Sequence, residues 1–242
     1  MKFVAAAVQM QASDDKAANL AEAESWVHQA TRQGARLVVL PEVFIWRGNK
    51  KLERESAETI PGATSNRLSG LARQLSIFLL AGSILEEIPA SSKAYNTSLL
   101  FDPSGNLLAT YRKIHLFDVD LANGVSLRES ETRSHGEALV AAQTELGTMG
   151  LSVCYDLRFP ELYRGLADQG AQLIFVPFMT DGAGAQLIGA WFGTGPDRGI
   201  ALVFLLTGMI GLSVTVVALR SRPYRQLTEH YAGQPQLALA PC

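Results

Sequence analysis

The chain reads as an α/β fold, and three observations predict it. Short, continuously apolar runs such as RLVVLP at 36–41 and MGLSV at 149–153 have the pattern of strands covered on both faces. An amphipathic stretch of helix-forming residues separates the first two such runs. The links between them are tight, as in a layered strand–helix–strand unit.

Residues 3–9 (FVAAAVQ) predict a short buried strand. Asp14 and Asp15 can cap a helix over 16–33, whose Leu20, Ala23, Trp26, Val27 and Ala30 share one face, with Trp26 expected in the core. Gly34 ends it, and 36–41 forms the next strand. A second helix is expected over 67–75 and a strand over 77–83. The alternation at 96–101 and 107–112 predicts a hairpin around the turn residues DPSG, which delivers Lys113 to its end. The strand at 149–153 stops at Cys154. Pro160 suits the first turn of a helix reaching about residue 169, and 173–176 is one more strand, closed by Pro177.

Composition narrows the function. The 242 residues carry 21 Lys+Arg against 23 Asp+Glu, too even a balance for a nucleic-acid partner. A hydrophobic share of 48% is ample for a buried core. Two cysteines make no disulfide framework, and MKFVAAAVQMQASDDK makes a poor signal peptide, so a cytoplasmic location is expected for residues 1–178. No metal-ligand spacing, phosphate-binding glycine loop or G-x-S-x-G elbow occurs.

Three side chains stand at strand ends: Glu42 in VVLPEVF, Lys113 in YRKIHLFD and Cys154 in GLSVCYDLRFPELYR. A thiol near its ordinary pKa is mostly protonated at neutral pH; a carboxylate can take its proton, and an ammonium can stabilise the thiolate or an oxyanion. Hydrolysis of an amide by a cysteine nucleophile calls for such a set. Taken singly, each residue has an ordinary reading: a small buried thiol, the start of a loop, a solvated surface charge. His115 could pair with the thiol or simply pack.

The joint occurrence changes the weighing. PEVF, YRKIHLFDVD, the RES at 128–130 and GLSVCYDLRFPELYRGLADQGAQLIFVP together resemble the nitrilase superfamily of carbon–nitrogen hydrolases, in the branch holding omega-amidase and deaminated-glutathione amidase. The resemblance covers residues 1–178. It implies a four-layer α-β-β-α sandwich, self-association through outer helices, a small amide as substrate and no cofactor. It further implies Cys154 as nucleophile, Glu42 as general base and Lys113 as oxyanion stabiliser. Glu129 would help position substrate or water, and the Tyr155 main-chain N–H would be a second oxyanion donor.

After residue 178 the resemblance stops. Residues 179–198 are a glycine-rich junction, and 199–219 (GIALVFLLTGMIGLSVTVVAL) hold no charge. At about 1.5 Å per residue, a helix of that length spans roughly the 30 Å of a bilayer core. With the arginine-bearing tail at 220–242, the segment resembles the last membrane helix of a major-facilitator-type transporter. The expectation is therefore a C-terminally incomplete nitrilase-type sandwich followed by a hydrophobic, candidate transmembrane helix. Leaving about 1,000 Å² of apolar core uncovered costs on the order of 25 kcal/mol, above the roughly 5–15 kcal/mol by which a domain is stable. Impaired hydrolysis, or a membrane-associated product without catalysis, is the expected consequence.

Overall fold

The structure is a computed structural model and describes residues 2–120 and 126–178. In chain order the strands are β1 (Val4–Ala7), β2 (Ala35–Val39), β3 (Phe78–Leu80), β4 (Ile84–Glu87), β5 (Ala94–Phe101), β6 (Leu107–Arg112), β7 (Asp118–Asp120), β8 (Ser126–Arg128), β9 (Arg133–Ser134), β10 (Ala141–Thr144), β11 (Gly147–Leu151) and β12 (Leu173–Phe175). The α-helices are α1 (Lys16–Arg32), α2 (Glu53–Ser56), α3 (Ala63–Leu75) and α4 (Pro160–Asp168).

One sheet runs β1-β2-β3-β5-β4, with β6 and β9 also paired to β5. Strands β1, β2 and β3 are mutually parallel, as the short crossovers through α1 and α3 require. A second sheet is β10-β11-β12, and β7 and β8 form a separate ribbon.

The layers follow from strand alternation. Val38, Leu79 and Leu99 pack with Ala23 and Val27 of α1 and Leu68, Leu71 and Ala72 of α3. Their neighbours Leu37, Phe78, Leu80 and Leu100 face the other way, onto Met149 and Leu151 of the second sheet. Gly150 lies between those two in the strand, where an added Cβ would stand 3.1 Å from Leu166 of α4. The order is thus helices, sheet, sheet, helix. Strands covered on both faces have no polar side to show, which is why their runs are continuously apolar.

Two local expectations are corrected. Residues 77–83 do not form one strand: Gly82 turns the chain at φ +31° between β3 and β4. Trp26 is not core but 40% exposed, its Nε1 donating to Glu22 at 3.3 Å. Helix α1 turns Ala23 and Val27 fully inward, and one residue's rotation carries the indole of Trp26 off that face. A buried polar residue, Asn19, replaces it as the informative side chain of α1. Its Nδ2 donates to the carbonyls of Ser13 (2.8 Å) and Ile45 (2.9 Å), tying the helix to the loop after Glu42.

Among the described residues no helix is long and apolar enough to cross a membrane. The hydrophobic run at 199–219, the junction at 179–198 and the tail at 220–242 lie outside the described residues.

Candidate active site

Glu42 follows β2, Lys113 follows β6 and Cys154 follows β11, so two come from the larger sheet and one from the smaller, across their common core. Both the acid and the thiol sit at left-handed kinks. Val43, next to Glu42, has φ +48°, and Cys154 itself has φ +49°. A β-branched residue in that region is a genuine outlier, and such strain, about 1–3 kcal/mol each, persists only where surroundings impose it.

The impositions are visible. The Val43 N–H donates to Ser83 Oγ at 3.0 Å. The Cys154 N–H donates to the Pro177 carbonyl at 3.0 Å, and the Glu42 N–H to the Phe178 carbonyl at 3.4 Å. The short turn Cys154–Arg158 is closed by Asp156, whose Oδ2 accepts the Val153 N–H at 2.8 Å. Asp156 is fully buried, and its other oxygen accepts the His115 N–H at 3.0 Å and lies 2.7 Å from His115 Nδ1.

The structure brings Glu42, Lys113, Glu129 and Cys154 together. Lys113 Nζ donates to Glu42 Oε1 at 3.2 Å and to Glu129 Oε2 at 2.9 Å, with the lysine side chain 2% exposed. Asn96 Nδ2 also donates to Glu42 Oε1, at 2.8 Å. Glu42 Oε2 is buried without a hydrogen-bond partner among the described residues. One oxygen of the carboxylate is therefore saturated and the other is not.

The charges act on each other strongly. Burial pushes the Cys154 thiol well up from its ordinary value, and the charge of the Glu42 carboxylate beside it pushes further; Lys113 opposes both. Burial alone would lower the Lys113 ammonium, but the charges of Glu42 and Glu129 outweigh it and hold it above its usual range. Burial likewise works against the Glu129 carboxylate, yet Lys113 and Arg133 outweigh it and keep Glu129 below its usual range. The resting site is a protonated thiol beside a carboxylate–ammonium–carboxylate row.

Tyr155 directly follows the thiol in the turn. Its ring is held edge-on by Phe117 (centroids 4.9 Å apart) and Phe159 (5.5 Å). His115 stacks on Phe159 at 3.6 Å with its Nδ1 against Asp156, so it packs the turn and does not form a Cys–His dyad in this arrangement. Sequence reasoning missed Asn96, Arg133 and Asp156. Asn96 and Arg133 sit on paired strands, and no local pattern marks either. Asp156 was within reach, two residues past the thiol. Among the described residues, no group of three or more His, Cys, Asp and Glu could hold a metal ion.

The profile of the carbon–nitrogen hydrolase family matches residues 4–199. Omega-amidase NIT2 of Homo sapiens is 43% identical over 175 residues, 72% of this chain and 63% of that protein. Deaminated glutathione amidase of Synechocystis sp. PCC 6803 is 43% identical over 178 residues, 72% of this chain and 65% of that protein. The chain thus spans less than two thirds of the length of these curated relatives. Among solved structures, Saccharomyces cerevisiae Nit3, a member of the nitrilase superfamily, superposes with a TM-score of 0.62 at 36% identity, over 70% of this chain and 61% of that one. An amidase from Nesterenkonia sp. AN1 matches with a TM-score of 0.63 at 28% identity, over 76% of this chain and 67% of that one. In that structure the acetamide moiety of fluoroacetamide is covalently added at the active-site cysteine. The described α/β sandwich is of the nitrilase type.

Proposed function

The chain belongs to the carbon–nitrogen hydrolase family, and on that premise we propose that it hydrolyses a small linear amide to a carboxylate and ammonia through a thioester on Cys154. The observation that supports this most is the buried ammonium of Lys113, bonded to both Glu42 and Glu129 and acting electrostatically on the thiol.

Each residue has one task. Glu42 takes the thiol proton as the sulfur attacks the amide carbon, and the carbonyl oxygen becomes an oxyanion beside Lys113 and the Tyr155 main-chain N–H. Glu42 then returns the proton to the departing nitrogen. The carbon–nitrogen bond breaks, ammonia leaves, and the acyl group stays on sulfur. A water molecule next loses a proton to Glu42 and attacks the thioester; the carbon–sulfur bond breaks and the sulfur is reprotonated. Glu129, bonded to Lys113 and to the Phe117 N–H at 2.7 Å, keeps the ammonium in place through both halves. The high thiol pKa suits this sequence, because proton transfer is then coupled to attack and no thiolate needs to be stored.

Within the family, the omega-amidase and deaminated-glutathione-amidase branch is the placement we favour, which makes a carboxylate-bearing amide the preferred substrate. Trapping tests the reading. Incubation of the full chain with such amides, followed by intact-mass measurement, is expected to show an acyl adduct on Cys154 and an equivalent of ammonia. No adduct and no ammonia from any of them would refute it.

A further inference from the structure

Arg133 is a buried cation that the proposed chemistry does not use. Pairing of β9 with β5 sets Arg133 opposite Ala94, two residues from Asn96, and leaves the residue only 8% exposed. Its Nη1 donates to Glu129 Oε1 at 2.6 Å. On the far side, Nη2 donates to Glu53 Oε1 at 2.7 Å and Nε to Glu53 Oε2 at 3.4 Å. Thr132 Oγ1 also donates to Glu53 Oε2. The result is one continuous row: Glu53, Arg133, Glu129, Lys113, Glu42.

Alternation of sign along that row is the point. Take Arg133 away and two buried carboxylates, Glu42 and Glu129, compete for one ammonium. Coulomb attraction at these distances is large in a desolvated site. Lys113 would then be drawn toward Glu129, away from the place where an oxyanion forms. A buried charge of this kind is costly to keep and is weak support for stability alone.

We propose that Arg133, anchored by Glu53, is a positioning residue for the reaction: it neutralises and orients Glu129 so that Lys113 stays shared with Glu42 and the thiol. The inference rests on the hydrolase reading above and adds a member to its machinery that touches no substrate. Burial works to raise the Glu129 carboxyl, and Lys113 and then Arg133 outweigh it and hold it below its usual range, which agrees with that role. A guanidinium suits the task because its planar fork can serve two carboxylates at once.

The measurement is the rate of alkylation of Cys154 by iodoacetamide against pH, from about pH 6 to pH 10, by peptide mass spectrometry. It uses the full chain with Cys242→Ser as background. Glu42→Gln serves as the control for an assembled site: losing the carboxylate that holds the thiol up should move the profile to lower pH. Arg133→Met should move it the opposite way, about tenfold slower at a given pH, equivalent to one pKa unit. Removing both charges together in Arg133→Met/Glu129→Gln should give the profile of Glu129→Gln alone; this variant also serves if the single Arg133 change fails to fold. A profile that Glu42→Gln moves but Arg133→Met does not, or a further displacement in the double variant, would overturn the inference and leave the hydrolase reading standing. A profile that Glu42→Gln leaves unmoved would bring down both.

Discussion

The hydroxyl of Tyr111 donates to Asp156 at 2.6 Å, and that contact joins the strand leading to Lys113 with the turn that carries Cys154. Both residues are fully buried. Burial first, then the charge of Asp156 and the hydrogen bond to it, hold the Tyr111 phenol above its usual pKa. The two sheets therefore meet at the site through a fixed polar tie as well as through apolar packing.

Asp156→Ala should be the more damaging of two changes at this tie. It strips acceptors from Tyr111, Val153 and His115 at once. A loss on the order of 3 kcal/mol or more is expected, against about 1–3 kcal/mol for Tyr111→Phe, which leaves one acceptor position of Asp156 unfilled and takes the acceptor of the Ile114 N–H, a long bond at 3.3 Å. Urea unfolding of the two variants checks the ranking. Equal and small losses would show that the tie is incidental.

Gly82→Ala should disturb the acid from behind. A Cβ at Gly82 would lie 1.9 Å from the Pro41 carbonyl oxygen and 2.3 Å from that of Leu40, backbone atoms that cannot swing aside, at a position already at φ +31°. Leu40 and Pro41 lead directly into Glu42. The expected cost is about 3 kcal/mol or more in stability, together with loss of hydrolysis, read by thermal melting and ammonia release.

Glu129 gives the acid limb of stability a definite sign. Its carboxyl is held below its usual range in the folded chain, so the unfolded chain binds the proton more readily. The contribution is complete above the unfolded glutamate value of about 4.3 and is lost as pH falls below it. The melting temperature should drop on acidification through that region, and Glu129→Gln should flatten the drop. An unchanged acid limb in the variant would contradict the assignment.

Glu42→Gln should separate two properties that one mechanism links. Turnover needs a proton acceptor, so hydrolysis is expected to fall by about 10²- to 10⁴-fold. Alkylation of Cys154 needs only the thiolate, and losing the Glu42 charge favours thiolate. Steady-state ammonia release and thiol labelling on the same preparation make the comparison. A variant that loses both equally would point to a collapsed site.

Glu42, Lys113 and Cys154 stood out as candidates because each ends a strand-like run and, above all, because the segments around them jointly resemble one family. The strands themselves were legible where burial on both faces wrote a continuous apolar pattern, as at Leu37–Val38–Val39. The polar elements β7, β8 and β10 carried no such signal. The Glu53–Arg133–Glu129 row was invisible for a different reason: Glu53 begins α2 and Arg133 lies on β9, and only tertiary packing brings these two, 80 residues apart in the chain, together. Trp26 misled because helical periodicity gives a face but not its edge. The strand predicted over 77–83 failed at Gly82, whose left-handed turn the apolar run around it concealed.

The most direct measurement of the central claim is ammonia release from a small carboxylate-bearing amide by the full chain and by Cys154→Ala, paired with intact mass. The account predicts release and a transient acyl mass for the unaltered chain, and neither for the variant. Release that persists in Cys154→Ala, or a stable acyl mass on any other residue, would contradict it.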